Sequence, residues 1–232
     1  MLSAARRHLV FDADDTLWEN NVFFERAIDD FVAWMNHPTL EPAAIRQTLH
    51  DIERANSVAH GYGTLVFLRS LHECFERLAE RGADDTDRAS IEAFAARLRS
   101  GDVELIPEVE HTLAALGDRH DLLLLTKGAP EEQQRKIDVS GLAGYFRRTV
   151  IVPEKDVEAY RKLVADEGLD PAQTWMIGNS IKSDINPALA AGLGAVFLPN
   201  DNTWALEHAE LDAPTEGRFL QLQRFPELLL HF

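Results

Sequence analysis

The stretch His8-Leu9-Val10-Phe11-Asp12-Ala13-Asp14-Asp15-Thr16-Leu17-Trp18 decides how this chain is read. An apolar run, Leu9 to Phe11, stops at three carboxylates within four positions. A short apolar run bounded in this way reads as a buried strand. The strand would end where the acids begin, and in open α/β sheets ligands bind outside the carboxyl ends of the strands. Asp12 and Asp14 therefore fall at the edge of a core, where a site is expected. Three negative charges this close repel one another unless a cation or a shifted pKa relieves them. Taken alone, the stretch also fits a strand followed by a solvated acidic turn.

Downstream of it the periodicity is helical. Phe24, Ile28, Phe31 and Met35 share one stripe, predicting a helix over 22–35 that Pro38 stops. Ile45, Leu49 and Ile52 predict a second from Pro42 to about residue 59, with Pro42 in its first turn. Leu68, Leu71, Phe75 and Leu78 predict a third over 64–81, ended by Gly82, and Ile91, Phe94 and Leu98 a fourth from about 85 to 100. After Gly101 the pattern changes. Apolar runs at 122–125, 149–152, 174–177 and 195–198 alternate with helical segments that Pro107 and Pro130 open and with others at 156–167 and 184–191. Strand and helix in alternation predict a Rossmann-like α/β core, a parallel sheet with helices on both faces. The expected division is a core of 1–17 and 102–232, with an all-helical domain, 18–101, inserted after the first strand. Residues 217–222 read as an edge strand and 225–231 as a short helix.

Composition narrows the partners. Acids outnumber bases by 39 to 23, a formal net charge of −16. Nucleic acids and anionic membranes need clustered Lys and Arg, so neither is expected as the main partner. An anionic substrate must then be captured by local cations rather than by the global field. The single cysteine, Cys74, excludes an intrachain disulfide and fits a reducing, cytoplasmic setting. No run approaches a transmembrane helix, and the apolar start reaches Asp12 too soon for a signal peptide.

In a parallel sheet the strand ends share one edge. That edge would gather Asp12 and Asp14, then Thr126 after the second strand, Lys155 past the third, and Asn179 and Asp184 past the fourth. A carboxylate cluster suits a hard cation such as Mg²⁺. A lysine, a hydroxyl and backbone N–H groups at 126–128 and 178–180 suit a phosphate. Cation, phosphate cradle and carboxylate nucleophile together are what phosphoryl transfer needs.

These motifs resemble the haloacid dehalogenase superfamily, in its phosphatase branch with a helical cap inserted after the first strand. The first family motif, Asp-x-Asp-x-Thr after an apolar strand, stands here as Asp12-Ala13-Asp14-Asp15-Thr16, with Asp15 in place of the usual glycine. Thr126 matches the second motif and Lys155 the third. Gly178-Asn179-Ser180-Ile181-Lys182-Ser183-Asp184 matches the fourth, with Asn179 in place of its first acid.

The resemblance implies an enzyme, a phosphoric monoester hydrolase acting on a small phosphorylated metabolite. Asp12 would be a nucleophile, kept at low pKa by Mg²⁺ and Lys155, that forms an aspartyl-phosphate. Asp14 would be the proton carrier, pointing away from the metal. Thr126, Lys127, Gly128 and Lys155 would hold phosphate. Asp12, the Asp14 carbonyl, Asp184 and Asn179 would form the Mg²⁺ site, with Asn179 weakening it by one charge. The Lys127 side chain reads equally as turned away, leaving only its backbone N–H. Trp18, Asn20, Asn21, Tyr62 and Arg69 are further candidates for the entrance or for substrate contact. The rival readings are a 2-haloacid dehalogenase, which resembles this chain but lacks an acid at the position of Asp14, a non-catalytic phospho-ligand or partner binder, and a phosphomutase. Neither the natural substrate nor the oligomeric state is read from the sequence.

Overall fold

In the computed structural model the described residues are 6–79, 81–96, 98, 103–212 and 218–232. The chain divides into two compact units, Met1–Glu19 with Val103–Phe232, and Asn20–Asp102.

The first unit is built on β1 (His8–Phe11), β2 (Asp121–Lys127), β3 (Arg148–Val152), β4 (Thr174–Gly178), β5 (Gly194–Phe197) and β6 (Phe219–Gln221). They form one six-stranded sheet in the order β3-β2-β1-β4-β5-β6, and every pairing is parallel. The strand order reverses beside β1, which pairs with both β2 and β4. Ligands of open α/β sheets lie in the crevice at such a reversal.

Side-chain alternation explains why β1 is apolar throughout. Leu9 and Phe11 join Leu122, Leu124, Ile177 and Val196 on one face, against Val109 and Leu113. Val10 joins Leu123, Leu125 and Met176 on the other, against Tyr160 and Leu163. Successive strand residues face opposite sides, so a strand covered on both must be continuously apolar. Along the other edge, the predicted helix over 184–191 starts earlier than expected. A π-helical turn, Ile181–Ile185, runs into the helix Asn186–Ala190. The expected 217–222 strand is β6 at the sheet edge, and the tail ends in a 3-10 helix, Phe225–Leu230.

The second unit contains α1 (Asn21–Met35), α2 (Pro42–His60), α3 (Thr64–Ala79) and α4 (Asp85–Phe94). α4 ends at Phe94, with Ala95 as its C-cap, short of the expected end near Ser100, which itself lies outside the described residues. Ile28, Phe31, Ile45, Leu49, Leu71 and Phe75 fill its core, at the three- and four-residue spacings of the sequence. Within it Arg46 pairs with Glu25 at 2.6 Å and with Asp29.

Glu53 of α2 is buried, and its Oε2 finds no hydrogen-bond partner. Burial first, then the Glu25 charge, push its carboxyl up to about 7 against the pull of Arg46. A carboxyl whose folded pKa lies above its unfolded value binds protons more tightly when folded. Stability then falls as pH rises from the ordinary 4.5 to about 7 and stays lowered above it. Glu53→Gln is expected to stabilise the protein by up to about 3 kcal/mol above that window and little below pH 4.5. Urea unfolding at pH 5 and pH 8 measures this, and equal gains at both pH values would refute it.

Candidate active site

β1 delivers its acids through a tight turn. Leu17 and Trp18 donate backbone N–H groups to the Ala13 carbonyl, and Asp15 donates its own to the Trp18 carbonyl at 2.8 Å. Asp15 has φ +59°, in the left-handed region where glycine is favoured. Aspartate tolerates that region better than most residues. Glu19 N donates to the Glu104 carbonyl and Ile106 N to the Leu17 carbonyl, so residues 17–19 and 104–106 run together as a short two-stranded clasp.

Asp12 and Asp184 share the ammonium of Lys155, which donates to an Asp12 oxygen and, at 2.6 Å, to Asp184 Oδ1. All three are buried, with the Lys155 side chain 2% exposed. Two carboxylates face one ammonium, leaving one excess negative charge in a dry site. A low pKa for Asp12 was expected beside Mg²⁺ and Lys155 together, and Lys155 by itself does not produce one. Burial first, then the Asp184 charge, push Asp12 up to about 7 against Lys155. Burial alone would pull Lys155 down, but Asp12 and Asp184 hold it above the ordinary lysine value. Asp184 reaches this place because Gly178 has no side chain. A Cβ on Gly178 would lie 2.2 Å from Asp184 Oδ2. That Oδ2 instead accepts the Ser180 backbone N–H at 2.9 Å.

Asp14, two residues on, faces different partners. Trp18 Nε1 donates to its Oδ1 at 2.7 Å. Lys136 Nζ donates to Oδ1 at 2.6 Å and to Oδ2 at 2.7 Å, and Gln133 Nε2 to Oδ2 at 3.1 Å. The same Gln133 amide donates to Thr126 Oγ1 at 2.6 Å. Thr126 accepts this bond, so its own hydroxyl hydrogen is directed elsewhere. Gln133 and Lys136 come from the helix Pro130–Ser140, three residues apart and so on one face. Trp18, a candidate for the entrance, is 1% exposed and instead holds Asp14.

Asn179 joins the other side of the cluster. With its amide nitrogen inward it donates to Thr16 Oγ1 at 3.2 Å, to Asp12 Oδ2 at 3.3 Å and to the Asp14 carbonyl at 3.3 Å, while its oxygen accepts from Thr203 at 3.0 Å. Turned over, its oxygen faces the same Asp12 and Asp14 oxygens. Three oxygens converging there suit a hard cation, which takes carboxylate, carbonyl and amide oxygens. Asp184, by contrast, joins this group through Lys155. Among the described residues no three His, Cys, Asp or Glu side chains form a metal cluster.

Of the two readings of Lys127, the structure takes the one with its side chain turned away from phosphate. Lys127 Nζ is turned to Glu207 at 2.6 Å, with Ser183 Oγ at 3.0 Å and Glu154 at 3.2 Å. Its side chain is thus committed to a buried ion pair. Two of the backbone N–H groups expected to cradle phosphate are in use: Gly128 N donates to the Val152 carbonyl at 3.2 Å and Ser180 N to Asp184. In the helical unit Arg69 pairs with Glu73 at 2.8 Å on the surface of α3. The sequence reading missed Gln133, Lys136 and Glu207. The first two carry a faint signal, polar residues on the helix face that also bears the buried Ile137. Glu207 lies in a tail segment without periodicity.

A parallel α/β sheet with this acid-and-lysine constellation at its reversal defines a hydrolase class. The profile of the haloacid dehalogenase-like hydrolases matches residues 7–192, and the chain belongs to that family. It is 27% identical over 215 residues to the pyrimidine 5'-nucleotidase YjjG of Escherichia coli, covering 89% of this chain and 91% of that one. It is 29% identical over 177 residues to a phosphoserine phosphatase of Thermus thermophilus, covering 72% and 68%. A solved haloacid dehalogenase-like hydrolase from Xanthomonas campestris superposes with a TM-score of 0.82 at 27% identity, covering 98% and 96%. The protein is therefore a hydrolytic enzyme with phosphatase relatives. Among the described residues no helix is long and apolar enough to cross a membrane.

Proposed function

We propose that this protein is a Mg²⁺-dependent phosphohydrolase acting on small phosphate monoesters through an aspartyl-phosphate. One observation carries the reading: two carboxylates of a single turn face different partners. Asp12 meets Lys155 and the candidate cation donors, while Asp14 meets Trp18, Lys136 and Gln133. An acid kept apart from the nucleophile is what proton transfer in two steps requires. A 2-haloacid dehalogenase has no use for it. The phosphoserine phosphatase and nucleotidase relatives support a small phosphate ester as substrate.

In this reading an Asp12 oxygen forms a bond to phosphorus as the ester P–O bond breaks, and the leaving oxygen takes a proton from the Asp14 carboxyl. Asp14 then takes a proton from water as the water oxygen attacks phosphorus, releasing phosphate and restoring Asp12. Lys155 and the Thr126 hydroxyl hold phosphoryl oxygens. Asp12, the Asp14 carbonyl and the Asn179 amide oxygen would hold Mg²⁺, which would supply charge neutralisation at the phosphoryl group. The helical unit Asn20–Asp102 takes the part of the cap that selects the ester.

The test is phosphate release from p-nitrophenyl phosphate and a panel of phosphate monoesters, with Mg²⁺ and then with EDTA. Turnover that EDTA abolishes supports the reading. Halide release from a chloroacid, indifferent to EDTA, would replace it with dehalogenation, and no turnover of any ester with a non-catalytic binder. Asn179→Asp restores one negative charge among the donors, and is expected to lower the Mg²⁺ concentration for half-maximal activity by about tenfold. Titrating activity and heat of binding with Mg²⁺ checks this; unchanged affinity would remove Asn179 from the site.

A further inference from the structure

We propose that Lys136 is a positioning residue that fixes the Asp14 carboxyl group for proton transfer. The inference rests on the reading of Asp14 as the proton carrier. An aspartate side chain turns about two bonds, and Asp14 sits on a turn, with its side chain 24% exposed. Proton transfer needs the carboxyl oxygen within hydrogen-bond reach of the reacting oxygen. Something must therefore select one rotamer.

Lys136 supplies that selection. Its ammonium donates to both Asp14 oxygens, at 2.6 and 2.7 Å, which fixes the plane of the carboxyl group as a single contact would not. The Lys136 side chain is itself 12% exposed, so its stem is packed and its head is aimed. One helical turn earlier, Gln133 ties Asp14 Oδ2 to Thr126 Oγ1. The helix Pro130–Ser140 thereby sets Asp14 and Thr126 in register with each other. Trp18 closes the remaining side from the turn that carries Asp14. Lys136 stands in none of the four motifs that carry the family resemblance.

The experiment is a double-mutant cycle on p-nitrophenyl phosphate hydrolysis, using Lys136→Met, Asp14→Asn and the double variant of the full chain, with thermal unfolding of each. Misplacing a proton-transfer group by about 1 Å costs about 100-fold. Lys136→Met is expected to lower kcat by about 100-fold with KM nearly unchanged, and the double variant to be no slower than Asp14→Asn. Lys136→Arg, whose fork can still meet both oxygens, is expected to stay within about threefold of the wild type. Multiplicative losses in the double variant, a change mainly in KM, or a full-rate Lys136→Met would overturn the positioning role while leaving the phosphohydrolase reading standing. An Asp14→Asn variant at full rate would remove the proton carrier, and the inference with it. If Lys136→Met fails to fold, Lys136→Arg and Lys136→Gln decide: arginine rescuing where glutamine does not supports the role, and equal rates for the two refute it.

Discussion

Asp12→Asn is expected to abolish phosphate-ester hydrolysis, by about 10⁴-fold or more, while leaving the fold intact. The amide has the shape of the carboxylate but lacks its charge, so it cannot form the new bond to phosphorus. The position tolerates the change because of the surplus charge around it. Asp12 and Asp184 share one buried ammonium, and burial with the Asp184 charge pushes Asp12 up to about 7. Removing the Asp12 charge leaves Lys155 matched to Asp184 alone. Thermal stability should thus be unchanged or raised. Paired measurements of p-nitrophenyl phosphate turnover and thermal unfolding on the same preparation check both halves. A variant that keeps a tenth of the activity would show that Asp12 is not the nucleophile. A variant that unfolds early would show that Asp12 is needed by the fold.

Lys127→Met is expected to destabilise the protein by about 3–5 kcal/mol at neutral pH, since it strands one half of a buried ion pair. Glu207 is 8% exposed and accepts from Lys127 at 2.6 Å, from Ser180 at 2.7 Å and from Ser183 at 2.5 Å. Burial alone would raise its pKa. The Lys127 charge and hydrogen bond, with the two hydroxyls, outweigh this and hold it down at about 2. A depressed carboxyl stabilises the fold above its unfolded pKa of 4.5 and loses that contribution as pH falls through about 2. The deficit of the variant is therefore largest at neutral pH and shrinks below pH 4.5. Urea unfolding of both proteins at pH 7 and at pH 4 measures it. The paired change Lys127→Met with Glu207→Met should recover much of the loss, because no charge is left buried without a partner. A loss under about 1 kcal/mol at pH 7 would contradict the ion pair's structural weight.

Much of this arrangement is written locally. The apolar run Leu9–Phe11 must be buried on both faces, and the acids after it must lie at a strand end. Ile28 and Phe31, or Leu71 and Phe75, recur at helical spacing whatever they pack against. Asp12, Asp14 and Lys155 follow apolar strands and Thr126 stands at the end of one, so parallel pairing alone brings them to one edge. Sequence spacing therefore suffices for the architecture and for which residues meet at the strand ends, because both depend on periods of two and of about four residues.

What each side chain faces at that edge depends on distances between segments far apart in the chain. Lys127 lies 80 positions from Glu207, and Lys136 lies 122 from Asp14. No local period links such pairs. Lys127 read equally as a phosphate cation or as turned away, and the structure turns it to Glu207, a residue with no signal of its own. Asp12 was expected to have a low pKa beside Mg²⁺ and a lysine; against the lysine alone, burial with a second carboxylate pushes it up. Asn179 read as a missing charge, but the fold sets its amide beside Asp12 Oδ2 and the Asp14 carbonyl. Hydrophobic order along a chain is local and survives in the sequence. Electrostatics act through space, and which charges meet, and how dry their meeting place is, is decided only when the strands and the helix Pro130–Ser140 are packed together.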